Sequence, residues 1–114
     1  MISYAIIILA ITAVGGLLLA TKVLSGKQAP WFLSIIHALL GATGLILLTM
    51  AAVDSGWPGR LSASLALLVV AALGGFYLAS YHLRGSLSPK GIVLVHASVA
   101  VIGFLSLLTV YFKI

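Results

Sequence analysis

Two histidines carry most of the chemistry this chain could perform. His37 and His96 each stand seven residues after a proline, Pro30 and Pro89, in long apolar stretches without Asp or Glu. An ionisable side chain in such a stretch is costly, faces the interior of a helix bundle and marks a functional position. Neutral imidazole is a good ligand for haem iron and other metals. Little else is available. With no cysteine, disulfides, thiolate metal sites, iron–sulfur clusters and covalent haem attachment are excluded. Asp54 is the only acidic residue, so paired-carboxylate catalysis is excluded too. The chain therefore reads as an electron carrier or a subunit of an oxidoreductase complex rather than a stand-alone enzyme.

The histidines recur in register. At an offset of 59 residues, Gly15-Gly16 overlies Gly74-Gly75, Gly26 overlies Gly85, Pro30 overlies Pro89, His37-Ala38 overlies His96-Ala97, and Gly44 overlies Gly103. This alignment of a glycine pair, a loop glycine, a proline and a histidine indicates a tandem duplication of a helical hairpin. One repeat covers about 1–55 and the other about 60–114, within a single membrane domain of residues 1–114.

The elements that must position the histidines follow from composition. Hydrophobic residues make up 63% of the 114 residues and charged residues 6%. A soluble domain carries about a quarter charged residues, and disorder needs polarity. With a mean hydropathy of +1.34, the sequence predicts an integral membrane protein. About 20 apolar residues cross a bilayer as a helix. Four runs qualify: Ile2 to about Val23, about Pro30 to Val53, about Leu61 to Leu83, and about Pro89 to Phe112. Backbone groups in lipid must be satisfied within the segment, so these runs are helices. Short turn-rich loops at Leu24–Ala29, Asp54–Gly59 and Arg84–Ser88 predict an all-α, up-down-up-down bundle of four transmembrane helices. Pro30 and Pro89 are expected in the first turns of their helices. Met1–Tyr4 has no basic residue, so the first span reads as retained rather than as a cleaved signal.

The cations mark orientation. Lys22, Lys27, Arg84 and Lys90 flank loops one and three, against Arg60 and Lys113, with Asp54, on the other side. The positive-inside rule puts loops one and three in the cytoplasm and both termini outside, as in a bacterial inner membrane. Scattered among spans, these residues are not a nucleic-acid footprint. Trp31, Tyr81, Trp57, Tyr4, Tyr111 and Phe112 lie near span ends, as interfacial aromatics do.

In this arrangement spans two and four occupy diagonal corners, and His37 and His96 meet at equal depth. The chemistry that uses such a pair best is bis-histidine ligation of one haem b. Gly41 and Gly44 follow His37 on its own helix face, and Ala100 and Gly103 follow His96. Together with Gly16 and Gly75 these small residues would admit a flat macrocycle, while Lys22 and Arg84 could meet its propionates. Each feature also has a structural reading. Small residues pack membrane helices closely, an intramembrane histidine can bond a neighbouring helix, and His82, which has no repeat counterpart, sits near a span end.

A duplicated hairpin with Gly-Gly in the odd helices and His37 and His96 in the even ones resembles the small bacterial four-helix membrane cytochromes b. It is similar in logic to the haem-binding bundle of larger quinol-oxidising cytochromes b. The resemblance implies a membrane electron-transfer protein working with the lipid bilayer, a quinone or redox partner subunits, in a larger complex or homo-oligomer. Many of those proteins carry two histidines on each ligating helix and two haems. One histidine per helix here implies one haem. Two other function classes remain open: a non-catalytic accessory or anchor subunit of a respiratory or photosynthetic complex, and a pigment- or metal-binding protein in which histidine ligates chlorophyll magnesium or copper.

Overall fold

The computed structural model describes residues Met1–Ile114 and contains four helices, α1 (Ile2–Leu24), α2 (Trp31–Asp54), α3 (Gly59–Leu83) and α4 (Lys90–Phe112). All four are long and apolar enough to cross a membrane. Their 23 to 25 residues correspond to about 35 Å at 1.5 Å per residue. The bundle measures 42 × 22 × 18 Å.

The helix ends show how the sequence sets the boundaries. Pro30, Pro58 and Pro89 stand just before α2, α3 and α4 as N-caps, with ψ near 130–140°. The expected first-turn prolines are thus one position early. Each keeps an extended ψ while its carbonyl accepts the first helical bond, from Ser34, Ser62 and Val93 respectively. The expected second loop is shorter, because Asp54 and Gly59 are helical. After α1 the Lys27 N–H bonds the Lys22 carbonyl and the Gly26 N–H bonds that of Val23. After α3 the same pair of bonds runs from Ser86 to Tyr81 and from Gly85 to His82. These turns need a left-handed residue, and glycine supplies it at φ +79° (Gly26) and +71° (Gly85).

Within the bundle α1 packs beside α2 and α4, and α3 beside α4 and α2. A tight apolar core joins Ala5 and Leu9 of α1, Leu48 and Ala52 of α2, Leu61, Leu65 and Leu68 of α3 and Leu107 of α4. Gly44 is buried against Leu9, and Gly103 against Leu67 and Leu68. Leu48 and Leu107, 59 residues apart, are both fully buried. A polar seam runs beside this core: Ser64 donates to Ser106 at 2.9 Å, and Arg60 donates to Thr109 at 2.9 Å.

The packing is uneven along the bundle. From Ala13 to Thr43 no residue is buried, and from Ala72 to Ile102 only Val93 is. The tight core therefore occupies the half nearer the chain termini and loop two. The half nearer loops one and three has almost no fully buried residue, and it contains both histidines.

Candidate functional site

The site is built from two similar histidine seats. On α2, His37 directs Nδ1 at the Thr12 carbonyl of α1, 2.9 Å away. On α4, His96 directs Nδ1 at the Ala71 carbonyl of α3, 2.7 Å away. Both bonds span 25 residues of sequence, and Thr12 and Ala71 are related by the same 59-residue offset as the histidines. A carbonyl oxygen only accepts, so Nδ1–H is the donor in each ring. In the neutral imidazole that leaves Nε2 with its lone pair. Metal-ligating histidines are commonly fixed this way, with one ring nitrogen tied to a carbonyl and the other free to ligate.

Glycine makes these seats possible. A helical carbonyl at position i accepts the N–H of i+4, so the residues over the Thr12 and Ala71 carbonyls are Gly16 and Gly75. A Cβ on Gly16 would lie 2.8 Å from the His37 Cε1, and one on Gly75 would lie 3.1 Å from the His96 Cε1. A Cβ added at Gly15 or Gly74 would lie 3.9 Å from the His37 Nδ1 or 3.6 Å from the His96 Nδ1, in ordinary contact. A side chain at Gly16 would force the His37 ring to move, and one at Gly75 would press on the His96 ring less severely. The glycine pairs thus leave the space in which each ring reaches its carbonyl.

The two rings approach each other edge-on across the bundle. Their centroids are 6.4 Å apart and their planes cross at 84°. The backbones of α2 and α4 are not in direct contact, and at this depth the imidazoles reach toward each other across the diagonal. No third His, Asp or Glu joins them. A closed zinc site takes four protein ligands, and a catalytic one three. Two imidazoles suit a metal whose remaining ligands come with it.

The other expected site residues divide. Gly16 and Gly75 join the histidine pair. Gly41 is beside Thr12, with a Cβ position 3.5 Å from the Thr12 Cγ2. Gly44 and Gly103, expected beside the macrocycle, instead accept leucines of the tight core. One extra heavy atom at Gly44 would come within 2.6 Å of the Leu9 Cδ2, so these two are packing seams. Ala100 is half-buried on α4. Lys22 and Arg84 are exposed at the helix ends, and Arg84 bonds the Ser80 carbonyl through Nε at 3.2 Å. His82 is apart from the pair. It stacks on Trp31 with centroids 3.8 Å apart and planes within 9°, and its Nδ1 is 3.4 Å from the Ser34 Oγ.

Sequence reasoning misses the Thr12 and Ala71 carbonyls. A backbone acceptor has no residue type of its own. Its only trace is the glycine four positions later, a faint signal among twelve glycines. No protein-family model, curated protein or solved structure matches this chain.

Proposed function

We propose that this chain is a membrane electron-transfer protein that holds one haem b between His37 of α2 and His96 of α4. The observation that carries this reading is the pair of imidazoles, each bonded through Nδ1 to a neighbouring helix, with ring centroids 6.4 Å apart. Two imidazoles bonded to one metal through Nε2, at about 2.0–2.1 Å each, have centroids about 6–6.5 Å apart. The observed centroid spacing of 6.4 Å matches that length, and ligation would further require both Nε2 atoms to turn toward one point. A planar group at that depth would require the helices to part around it, since the rings lie close against Gly16 and Gly75. Bound haem would supply a one-electron couple, and with imidazole at both axial positions it suits electron transfer rather than oxygen binding. The protein's part is to fix both ring orientations and to keep the Nε2 lone pairs available.

The same proposal includes a duplicated hairpin in an up-down-up-down bundle. Paired turns, paired glycine seats and paired His-to-carbonyl bonds at one offset support it. Short loops support the alternation, and the cation count supports loops one and three on the cytoplasmic face of a bacterial inner membrane, with both termini outside. Electron exchange would be with a quinone or with redox partner subunits in the bilayer, within a larger complex or homo-oligomer.

The test is the absorption spectrum of the full-length protein purified from haem-replete cells. A Soret band with split reduced bands, lost or converted in His37→Ala and in His96→Ala, is expected. A colourless protein that also fails to take up added haemin overturns the proposal. A second reading is favoured by the same bonds: each imidazole clips its helix to a neighbour, and the chain is a non-catalytic accessory or anchor subunit. It predicts no haem uptake, lower stability in both alanine variants, and co-purification with larger subunits.

A further inference from the structure

The end of the bundle formed by loops one and three collects positive charge that the chain does not neutralise. Lys22, Lys27, Arg84 and Lys90 are all exposed there, and the only carboxylate side chain, Asp54, ends α2 at the opposite pole. The two loops are tied together: the Gln28 side chain donates from Nε2 to the Gly85 carbonyl at 3.1 Å. That bond joins the sequence neighbours of Lys27 and Arg84, bringing a cation from each loop to one corner. Arg84 is also oriented. Its Nε bonds the Ser80 carbonyl, and its Cζ lies 4.7 Å from the centre of the Tyr81 ring. The Tyr81 hydroxyl is 3.1 Å from that of Tyr77. The guanidinium is thereby held while its terminal nitrogens make no bond within the chain.

We propose that this corner, Lys27 and Arg84 with the Tyr77–Tyr81 pair, binds the phosphodiester headgroup of an anionic phospholipid. The corner is at helix ends, where headgroups are. Its loops run only from Ser25 to Pro30 and from Arg84 to Pro89, so no soluble surface extends beyond them for an acidic protein to grip. Phe32 in the first turn of α2 and Leu83 at the end of α3 are exposed at this end of the bundle, where acyl chains meet headgroups. Basic groups beside a membrane surface attract acidic lipid by about fivefold each, and an oriented arginine adds paired donors suited to phosphate. Arg84 is also the residue that could meet a haem propionate, and lipid preference is read on the protein without haem.

The experiment uses the full chain with Trp57→Phe, leaving Trp31 at the loop-one end of α2 as the sole indole. It is reconstituted in phosphatidylcholine vesicles containing brominated phosphatidylglycerol or, at equal mole fraction, brominated phosphatidylcholine. Trp31 quenching should show at least about tenfold preference for phosphatidylglycerol. Lys27→Gln with Arg84→Gln should bring the preference close to one, while Lys22→Gln with Lys90→Gln should retain most of it. Equal quenching by both lipids in the otherwise unaltered chain overturns the proposal. So does an equal loss in both double variants, which indicates diffuse attraction to the whole face. Abolition of the preference by inorganic phosphate, but not by sodium chloride of matched ionic strength, also overturns it, because the site would then be one for free phosphate.

Discussion

Replacing Gly16 by alanine tests whether the histidine seats are built as described. The added Cβ would stand 2.8 Å from the His37 Cε1, 3.4 Å from Nδ1 and 3.6 Å from Nε2. Carbon atoms in contact prefer about 3.5–4.0 Å, so the ring must retreat by roughly 0.7 Å or more. The 2.9 Å bond to the Thr12 carbonyl would then be stretched beyond useful hydrogen-bond length. Losing it costs about 0.5–1.5 kcal/mol, and forcing the extra carbon into the contact costs about 1–3 kcal/mol. Alanine returns about 1 kcal/mol through its better helix propensity. The net expectation is a loss of about 0.5–3.5 kcal/mol. Gly75→Ala should cost less, since its Cβ would lie 3.1 Å from the His96 Cε1. Gly41→Ala is the control: its nearest neighbour would be at an ordinary 3.5 Å, so propensity should dominate and stability rise by about 0.5–1 kcal/mol. Reversible unfolding in mixed micelles gives the order. NMR of histidine labelled at the ring nitrogens reports whether Nδ1 still carries its proton. If Gly16→Ala is as stable as Gly41→Ala and the His37 tautomer is unchanged, the glycine seat is not what positions the ring.

Other expectations follow from the same contacts. Gly44→Ala should destabilise the bundle by about 1–3 kcal/mol, because the new carbon would meet Leu9 at 2.6–2.7 Å, and more than Gly103→Ala; both are read by unfolding in micelles. Ser64→Ala removes a fully buried hydroxyl and its 2.9 Å bond to Ser106, at a cost of about 0.6–1.7 kcal/mol, the range for interhelical bonds in membranes. With no native cysteine, single replacements Ser25→Cys, Ser55→Cys and Ser86→Cys should report sidedness in inverted and right-side-out vesicles. An impermeant maleimide should label the Ser25 and Ser86 positions from the cytoplasmic face and Ser55 from the other, and uniform labelling from one side would contradict the bundle topology.

The membrane character and the four helices are legible in the sequence, because they depend on composition and on runs long enough to span lipid. So is the importance of His37 and His96, since few residues of any chemistry interrupt those runs. Gly15-Gly16 and Gly74-Gly75 also stand out there, through their recurrence with the histidines. What those glycines do is decided by tertiary structure. Facing helices bring an imidazole over each glycine and onto a carbonyl four residues earlier, and a backbone acceptor leaves no letter in a sequence. Periodicity groups Gly44 and Gly103 with the histidines because they share a helix face, but depth along the helix separates them. At that depth Leu9 and Leu68 fill the space, and only the packing of a second helix could show it. The 6.4 Å approach of the rings is likewise a property of the bundle: it joins side chains on diagonal helices, whose separation no spacing along the chain determines.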